Sequence, residues 1–182
     1  MALRLATMTD VPALNALITT SARGLSAEFY TPAQVQALIT HVFGVDTQLI
    51  TDRTYYVIDA PGGATAAAGG WSGRRTLYGG DQMKAGAAGD ARLDPASEPA
   101  RIRAFFVHPR WARRGLGSKL FAACADAARA AGFGAFELMA TLPGEPLYRA
   151  LGFAAVKRVE AALPGGVMVP LVQMARPLVP AI

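Results

Sequence analysis

The sequence predicts a single α/β domain over residues 1–182, with about seven strands and elements in the order β-α-α-β-β-β-α-β-α-β-β. Three observations support this prediction. A length of 182 residues suits one domain with a sizeable core. A composition of 52% hydrophobic and 17% charged residues is typical of a globular protein, not a disordered one. Short apolar runs typical of strands alternate with segments whose apolar residues repeat at helical spacing.

The N-terminal segment is predicted to form a strand at residues 3–6 and then a helix. Thr9 or Asp10 caps this helix, Pro12 lies in its first turn, and Gly24 is expected to end it.

A capping box predicts the start of the second helix, because Thr31 is followed by a proline and then, three residues after the threonine, by Gln34. Strands at residues 54–59 and 65–71 flank a proline–glycine–glycine turn, which predicts a hairpin. Residues 72–100 carry many Gly, Asp and Pro with little periodicity, so we expect a long irregular loop there.

In the second half, a nearly apolar strand at residues 102–108 leads through a basic turn into a helix that ends at Gly132. Later strands are predicted at residues 135–140, 154–160 and 167–176, the last two around another proline–glycine–glycine turn.

The basic turn is the most informative feature of the chain. Gly115 and Gly117 feed a helix N-terminus, where unpaired backbone N–H groups meet the positive end of the helix dipole. Such a turn binds phosphates, so we expect a diphosphate or a ligand that carries one. Four cations surround the turn in sequence: Arg110, Arg113, Arg114 and Lys119.

Two common phosphate motifs are excluded. A Walker A loop needs Gly-Lys-Ser/Thr, whereas Gly117 is followed by Ser118 and only then by Lys119. A dinucleotide fingerprint needs a third glycine where the chain has Leu120.

The turn instead resembles motif A of the GNAT superfamily of N-acetyltransferases, Gln/Arg-x-x-Gly-x-Gly/Ala after a strand. Here it begins with Ala112, which departs from the pattern, and ends at Gly117. The segment 141–153, TLPGEPLYRALGF, resembles the family's motif B, with Thr141 in place of Asn and Gly144 in place of Ala. The resemblance covers residues 101–153, about half of the chain.

The resemblance implies a mostly antiparallel mixed sheet and acetyl-CoA as acyl donor, with no metal. It implies an enzyme that transfers the acetyl group to a primary amine by direct attack on the thioester. The cofactor-binding residues implied are Phe105, Phe106, Val107, Arg113, Arg114, Gly115, Leu116, Gly117, Ser118 and Thr141. The alternative is a non-catalytic CoA-binding sensor or interaction module on the same fold.

Tyr148 matches the motif-B tyrosine, which implies a catalytic acid that protonates the departing thiolate. The alternative is a ring that only packs helix against sheet. The sequence does not identify the general base. The candidates are water and four side chains: Glu28, Asp81, His108 and Glu137.

The acceptor is expected to contact the irregular segments 23–31 and 71–81. Candidate substrate-binding residues are Glu28, Tyr30, Trp71, Arg74 and Tyr78. Arg74 and Arg75 suit a carboxylate-bearing acceptor, although exposed loop arginines commonly serve only solubility. The partner is expected to be a small-molecule or peptide amine, with aminoglycosides, polyamines, amino-acid derivatives and protein N-termini all open.

The net charge and the cysteine content limit the partners and the kinds of site that we expect. The net charge is +5, but the basic residues concentrate at the phosphate turn, so no nucleic acid partner is expected. A single cysteine, Cys124, excludes an internal disulfide and a multi-cysteine metal site.

No membrane partner is expected, since no apolar run is long enough to span a bilayer. The N-terminus lacks a signal-peptide pattern, which favours the cytoplasm. Relatives often pair through their C-terminal strands, so a homodimer is one expected state.

Overall fold

A seven-stranded mixed sheet organises residues 1–84 and 91–177, the residues that this computed structural model describes. The strands are β1 Ala2–Leu5, β2 Tyr55–Asp59, β3 Thr65–Ser72, β4 Ala100–Val107, β5 Ala135–Thr141, β6 Ala154–Leu163 and β7 Val167–Pro177. The helices are α1 Val11–Ser26, α2 Pro32–His41, α3 Thr47–Thr51, α4 Leu116–Ala130 and α5 Glu145–Ala150.

The strand order across the sheet is β1-β2-β3-β4-β5-β7-β6. Neighbouring strands are antiparallel except β4 and β5, which run parallel. The mixed, mostly antiparallel sheet predicted from the sequence is therefore confirmed.

The helices cover both faces of the sheet. Along β2, Tyr55 and Val57 join the core that α1 covers, whereas Ile58 joins the core beneath Leu120 of α4. This alternation follows from the two-residue period of a strand, in which successive side chains point to opposite faces. The described helices include none that is both long and apolar enough to cross a membrane.

The predicted capping box at α2 is confirmed. Gln34 N–H donates to Thr31 Oγ1 at 3.2 Å, and Thr31 N–H donates to Gln34 Oε1 at 3.0 Å. The two residues of this motif lie three positions apart in the chain, so the motif could be recognised from the sequence alone.

The predicted end of α1 at Gly24 is wrong. The helix runs through Gly24 to Ser26, and a Cβ at Gly24 would lie 2.3 Å from Pro109 Cγ. This glycine therefore permits close packing of α1 on the turn after β4, instead of capping the helix.

The five-residue helix α3 was not predicted, because it is too short to show a helical period. Asp46 caps it by accepting a hydrogen bond from Gln48 N–H at 3.0 Å. The expected irregular loop contains a 3₁₀ turn at Asp81–Met83 and an isolated bridge between Arg74 and Arg92. Residues 85–90 of that loop lie outside the described residues.

Candidate active site

A cleft opens in the sheet between β4 and β5. The two strands pair only through Ala100 with Phe136 and Arg101 with Glu137, at their N-terminal ends. Beyond Arg101 they separate, and a cavity of about 890 Å³ lies against their C-terminal halves. The ends of α1 and α2, the loop 77–80, the start of α4 and the helix α5 complete its walls.

A β-bulge shapes the β4 wall of this cavity. Gly70 pairs with Arg103 and Ala68 with Phe106, so two residues of β4 oppose Gly69 alone. One of the two, Ala104, has a φ of 53°, a strained value for a residue with a side chain. Bulges of this kind redirect the backbone and occur next to active sites.

The edge of β4 that faces the cleft carries backbone donors. His108 N–H donates to Ala66 O of the β3 side at 2.9 Å. Because successive residues of a strand point their N–H groups to opposite edges, Val107 N–H faces the side from which β5 has moved away. An extended ligand in the cleft can therefore pair with β4 as a strand would.

The phosphate turn leads from this strand into α4. Arg113 has a φ of 62° and Gly115 a φ of 77°, so the chain reverses sharply before the helix begins at Leu116. The first hydrogen bond of the helix runs from Lys119 N–H to Gly115 O at 3.0 Å. The N–H groups of residues 116–118 thus lie at the positive end of a 15-residue helix with no acidic residue in its first turn.

The four cations near the turn in sequence separate in space. Arg113 lines the cavity. Arg114 and Arg110 lie over the Trp111 ring, at 4.9 and 5.9 Å from its centroid. Lys119 Nζ donates to Met1 O at 2.9 Å, so this lysine is directed to β1 instead of the turn.

The phosphate turn and the motif-B segment pack together. A Cβ at Gly117 would lie 2.6 Å from Leu147 Cδ2, so this glycine lets α5 approach the start of α4. Thr141 Oγ1 accepts a hydrogen bond from Gly144 N–H at 3.3 Å, which ties the end of β5 to the start of α5. Both Thr141 and Gly144 line the cavity.

Tyr148 of α5 lies in the cavity wall. Its ring lies 6.1 Å from that of Phe105 and 5.7 Å from that of Phe153. Burial raises the pKa of its hydroxyl, which therefore keeps its proton at neutral pH. Among the described residues the hydroxyl has no hydrogen-bond partner, which leaves it available to a ligand. The ring thus packs against its aromatic neighbours, and the catalytic role of the hydroxyl stays a prediction.

Two of the candidate bases are occupied in structural hydrogen bonds. Asp81 Oδ1 accepts from Thr47 N–H at 3.1 Å, at the start of α3. His108 Nδ1 accepts from Arg110 N–H at 3.1 Å and caps the 3₁₀ turn after β4.

The other two carboxylates differ in position. Glu137 forms an ion pair with Arg101 and a hydrogen bond with Gln173, at the end of the cleft where β4 and β5 still pair. Glu28 is exposed and lines the cavity. Of the four side chains considered as bases, Glu28 alone is among the cavity-lining residues that the structure describes.

Tyr30 is placed in the core beside the cavity. Its hydroxyl donates to Pro170 O at 2.8 Å and accepts from Leu142 N–H at 2.9 Å. Burial raises the pKa of this hydroxyl to about 12. Tyr30 therefore bridges β7 and the segment after β5.

Trp71 and Arg74 also lie outside the cavity wall, whereas Tyr78 lines it. Trp71 packs edge-on against Phe133, with ring centroids 5.8 Å apart. Arg74 forms an ion pair with Asp52, with Nε 2.6 Å from Oδ2.

A buried ion pair behind the loop 77–80 was missed by the sequence reasoning. Arg103 of β4 and Asp46 are almost fully buried, and Arg103 Nη2 lies 2.8 Å from Asp46 Oδ2. The same guanidinium donates to Thr76 O at 2.9 Å and to Gly79 O at 2.7 Å. An arginine within an apolar strand was the available signal, but its partner lies 57 residues away in sequence.

The described residues contain no cluster of three or more His, Cys, Asp or Glu side chains arranged to hold a metal ion. The geometry is instead that of a split sheet with an anion-binding turn at one end of the cleft.

Comparison with known proteins agrees with this geometry. Residues 74–155 match the family model for the acetyltransferase (GNAT) domain. A GCN5-related N-acetyltransferase from Rhodopseudomonas palustris has a TM-score of 0.69 at 17% identity, over 97% of this chain and 94% of that one. The PaiA N-acetyltransferase from Thermoplasma acidophilum, in complex with coenzyme A, has a TM-score of 0.62 at 10% identity, over 97% and 98%.

A phosphinothricin acetyltransferase from Sinorhizobium meliloti, in complex with acetyl-CoA, has a TM-score of 0.63 at 19% identity, over 97% of this chain and 87% of that one. At such identities these likenesses establish the fold. No curated protein matches the chain. The split sheet and the phosphate turn define a GNAT-type domain. The family-model match makes residues 74–155 similar to the acetyltransferase (GNAT) domain, within a chain that has the GNAT-type fold.

Proposed function

We propose that this protein transfers an acetyl group from acetyl-CoA to a primary amine, and that residues 1–182 form one catalytic domain. The observation that carries the proposal is the continuous path from the N-terminus of α4, along the open edge of β4, to the hydroxyl of Tyr148. Acetyl-CoA supplies a diphosphate, an extended amide-bearing arm and an activated thioester, in that order along its length.

The cofactor-binding roles follow this path. The N–H groups of residues 116–118 and the side chain of Arg113 bind the diphosphate, since they combine the helix dipole with a cation at the cavity wall. The β4 backbone at residues 105–107 pairs with the amides of the arm. The Val107 N–H faces the cleft and is the donor that we assign to the thioester oxygen.

The Tyr148 hydroxyl donates a proton to the departing sulfur. Burial raises the pKa of this hydroxyl, so it is protonated at neutral pH, and no described residue accepts a hydrogen bond from it. A protein nucleophile is not required, because a thioester is already activated. Cys124 is unsuited to that role, since burial in α4 raises the pKa of its thiol.

Glu28 is the carboxylate that we assign to the incoming amine. It is exposed at the cavity wall, where it attracts the ammonium form and passes the proton to solvent. The amine then attacks the thioester directly, with the geometry supplied by the two ends of the cleft.

The test combines acetyl-CoA titration by calorimetry with CoA-thiol release across a panel of amines. Binding together with release supports the proposal. Binding without release from any amine favours the sensor alternative, and absence of binding refutes both functions.

A charge variant sharpens the test of the phosphate turn. Ser118 is exposed at the third position of α4, where Asp stabilises the helix by about 0.3–1 kcal/mol through the dipole. The same negative charge repels a diphosphate, so Ser118→Asp is expected to weaken acetyl-CoA binding about tenfold or more while thermal stability holds or rises. Ser118→Asn is the control of equal shape. Equal affinity in the two variants would place the diphosphate elsewhere.

Ser118 isolates the charge better than Gly117 does. A side chain at Gly117 would collide with Leu147 and displace α5, so loss of binding there would have two causes.

A further inference from the structure

Among the described residues, no cation lies in the part of the cavity wall around Glu28 and Phe29, here called the acceptor end. Glu28 and Arg113 are the charged residues among the described side chains that line the cavity, and Arg113 belongs to the phosphate turn. The segments 85–90 and 178–182, which lie outside the described residues, contain no Lys, Arg or His in their sequences. Among the described residues, the acceptor end therefore offers the carboxylate of Glu28 and no cationic side chain that could pair with an anion.

The arginines nearest in sequence to the acceptor end are engaged elsewhere. Arg75 pairs with Glu98, with Nη1 2.8 Å from Oε1. Arg74 is held by Asp52, as described above. Arg23, in the last turn of α1, is exposed and does not line the cavity. The sequence-based expectation that Arg74 and Arg75 receive a carboxylate is therefore not supported by their positions.

The rest of the acceptor end is apolar and aromatic. Its lining includes Phe29, Leu38, Val42, Phe43, Met139 and Leu171. Phe29 is 44% exposed although it is a large apolar residue, and it follows Glu28 directly in the chain. An exposed ring beside a carboxylate at a cavity wall matches a ligand that combines an apolar body with a cationic amine.

We infer that the acceptor is an apolar or aromatic primary amine that carries no carboxylate next to the amine. This inference rests on the proposed acetyl transfer and specifies its substrate class. A carboxylate placed among these apolar side chains would lose its water without gaining a cation, and it would be repelled by Glu28. Free amino acids and acidic acceptors are thereby disfavoured, whereas the ring and aliphatic side chains stabilise the body of an arylalkylamine.

The experiment compares three acceptors that share one carbon skeleton: phenethylamine, phenylalanine and phenylalanine methyl ester. CoA-thiol release gives kcat/KM for each, expressed per neutral amine to remove differences in amine pKa. We expect phenethylamine to exceed phenylalanine about tenfold or more, because the carboxylate is the one group added. The ester should recover most of this loss, since it restores neutrality at similar size. Ethylamine tests the apolar body and is expected to be the poorer substrate beside phenethylamine.

A charge-introducing variant provides an independent arm. Phe29 is exposed enough for Phe29→Arg to fold, and the new cation should raise the phenylalanine-to-phenethylamine ratio of kcat/KM about tenfold. Phe29→Gln is the control that removes the ring without adding charge, and it should leave this ratio near the wild-type value.

The outcomes separate this inference from the function on which it rests. Failure of acetyl-CoA to bind refutes the proposed function. Acetyl-CoA binding with phenylalanine used as well as or better than phenethylamine overturns the inference alone. Binding with neither aromatic amine acetylated overturns it as well.

Discussion

Replacing Tyr148 with Phe separates the two roles that this residue can have. The ring contacts with Phe105 and Phe153 persist in the variant, because only the hydroxyl oxygen is removed. That hydroxyl has no partner among the described residues, so its loss breaks no protein hydrogen bond. We therefore expect the free energy of unfolding to change by less than about 1 kcal/mol.

The catalytic effect of Tyr148→Phe should be much larger. General acid catalysis contributes about 10²–10⁴-fold to a rate, so kcat is expected to fall about 100-fold or more. The affinity for acetyl-CoA should change little, since the diphosphate turn and the β4 edge are untouched. The measurements are CoA-thiol release at saturating acetyl-CoA, calorimetric titration, and urea denaturation.

Tyr30→Phe is the matched control, because it makes the same chemical change at a tyrosine outside the cavity wall. Here the hydroxyl bridges Pro170 O and Leu142 N–H, so its removal leaves two main-chain groups without their partner. The free energy of unfolding should fall by about 1–3 kcal/mol while kcat stays within about threefold. The reasoning is refuted if Tyr148→Phe retains kcat within about twofold, since the ring would then suffice.

Two further substitutions test the walls of the cavity. Asp46→Asn removes the carboxylate that Arg103 and Lys84 share and should lower the free energy of unfolding by about 3–5 kcal/mol in urea denaturation; a change below about 1 kcal/mol would contradict this. Gly69→Ala places a Cβ 2.4 Å from Phe105 Cδ1. This should lower the free energy of unfolding by about 1–3 kcal/mol, measured by urea denaturation, and should weaken acetyl-CoA binding, measured by calorimetry. Gly134→Ala, where a Cβ meets no atom within 4 Å, is the control, and equal effects at the two glycines would argue against a shaped β4 wall.

The cofactor end of the site was predictable because its chemistry is local. A strand, a turn with glycine at a left-handed position and a helix start follow one another within a single segment. The groups that face the ligand there are mostly backbone N–H groups. The presence of Ala112 where the motif has Gln or Arg therefore does not change the architecture of the turn. The packing role of Gly117 could not be predicted in this way. Its neighbour Leu147 lies 30 residues away in sequence, so the contact is visible only in the fold.

The acceptor end was not predictable in the same way, because it is assembled from distant segments. Leu38 of α2, Tyr78 of the irregular loop and Leu171 of β7 meet in one wall. Sequence composition singled out the polar and aromatic residues of the irregular segments, yet Tyr30 and Trp71 proved to be buried in packing positions. Residue type alone does not distinguish a tyrosine that contacts substrate from one that bridges two strands.

Arg103 is buried beside the acceptor end and is not among the described residues that line the cavity. Its guanidinium lies behind the loop that carries Tyr78, where it shares the Asp46 carboxylate with Lys84, and the carbonyls of Thr76 and Gly79 accept its hydrogen bonds. The arginine thus holds the loop from behind and does not line the cavity. The ion pair between Arg103 and Asp46 fixes the position of the loop, and the loop lines the cavity. Loss of this ion pair should therefore raise KM for the amine more than Kd for acetyl-CoA.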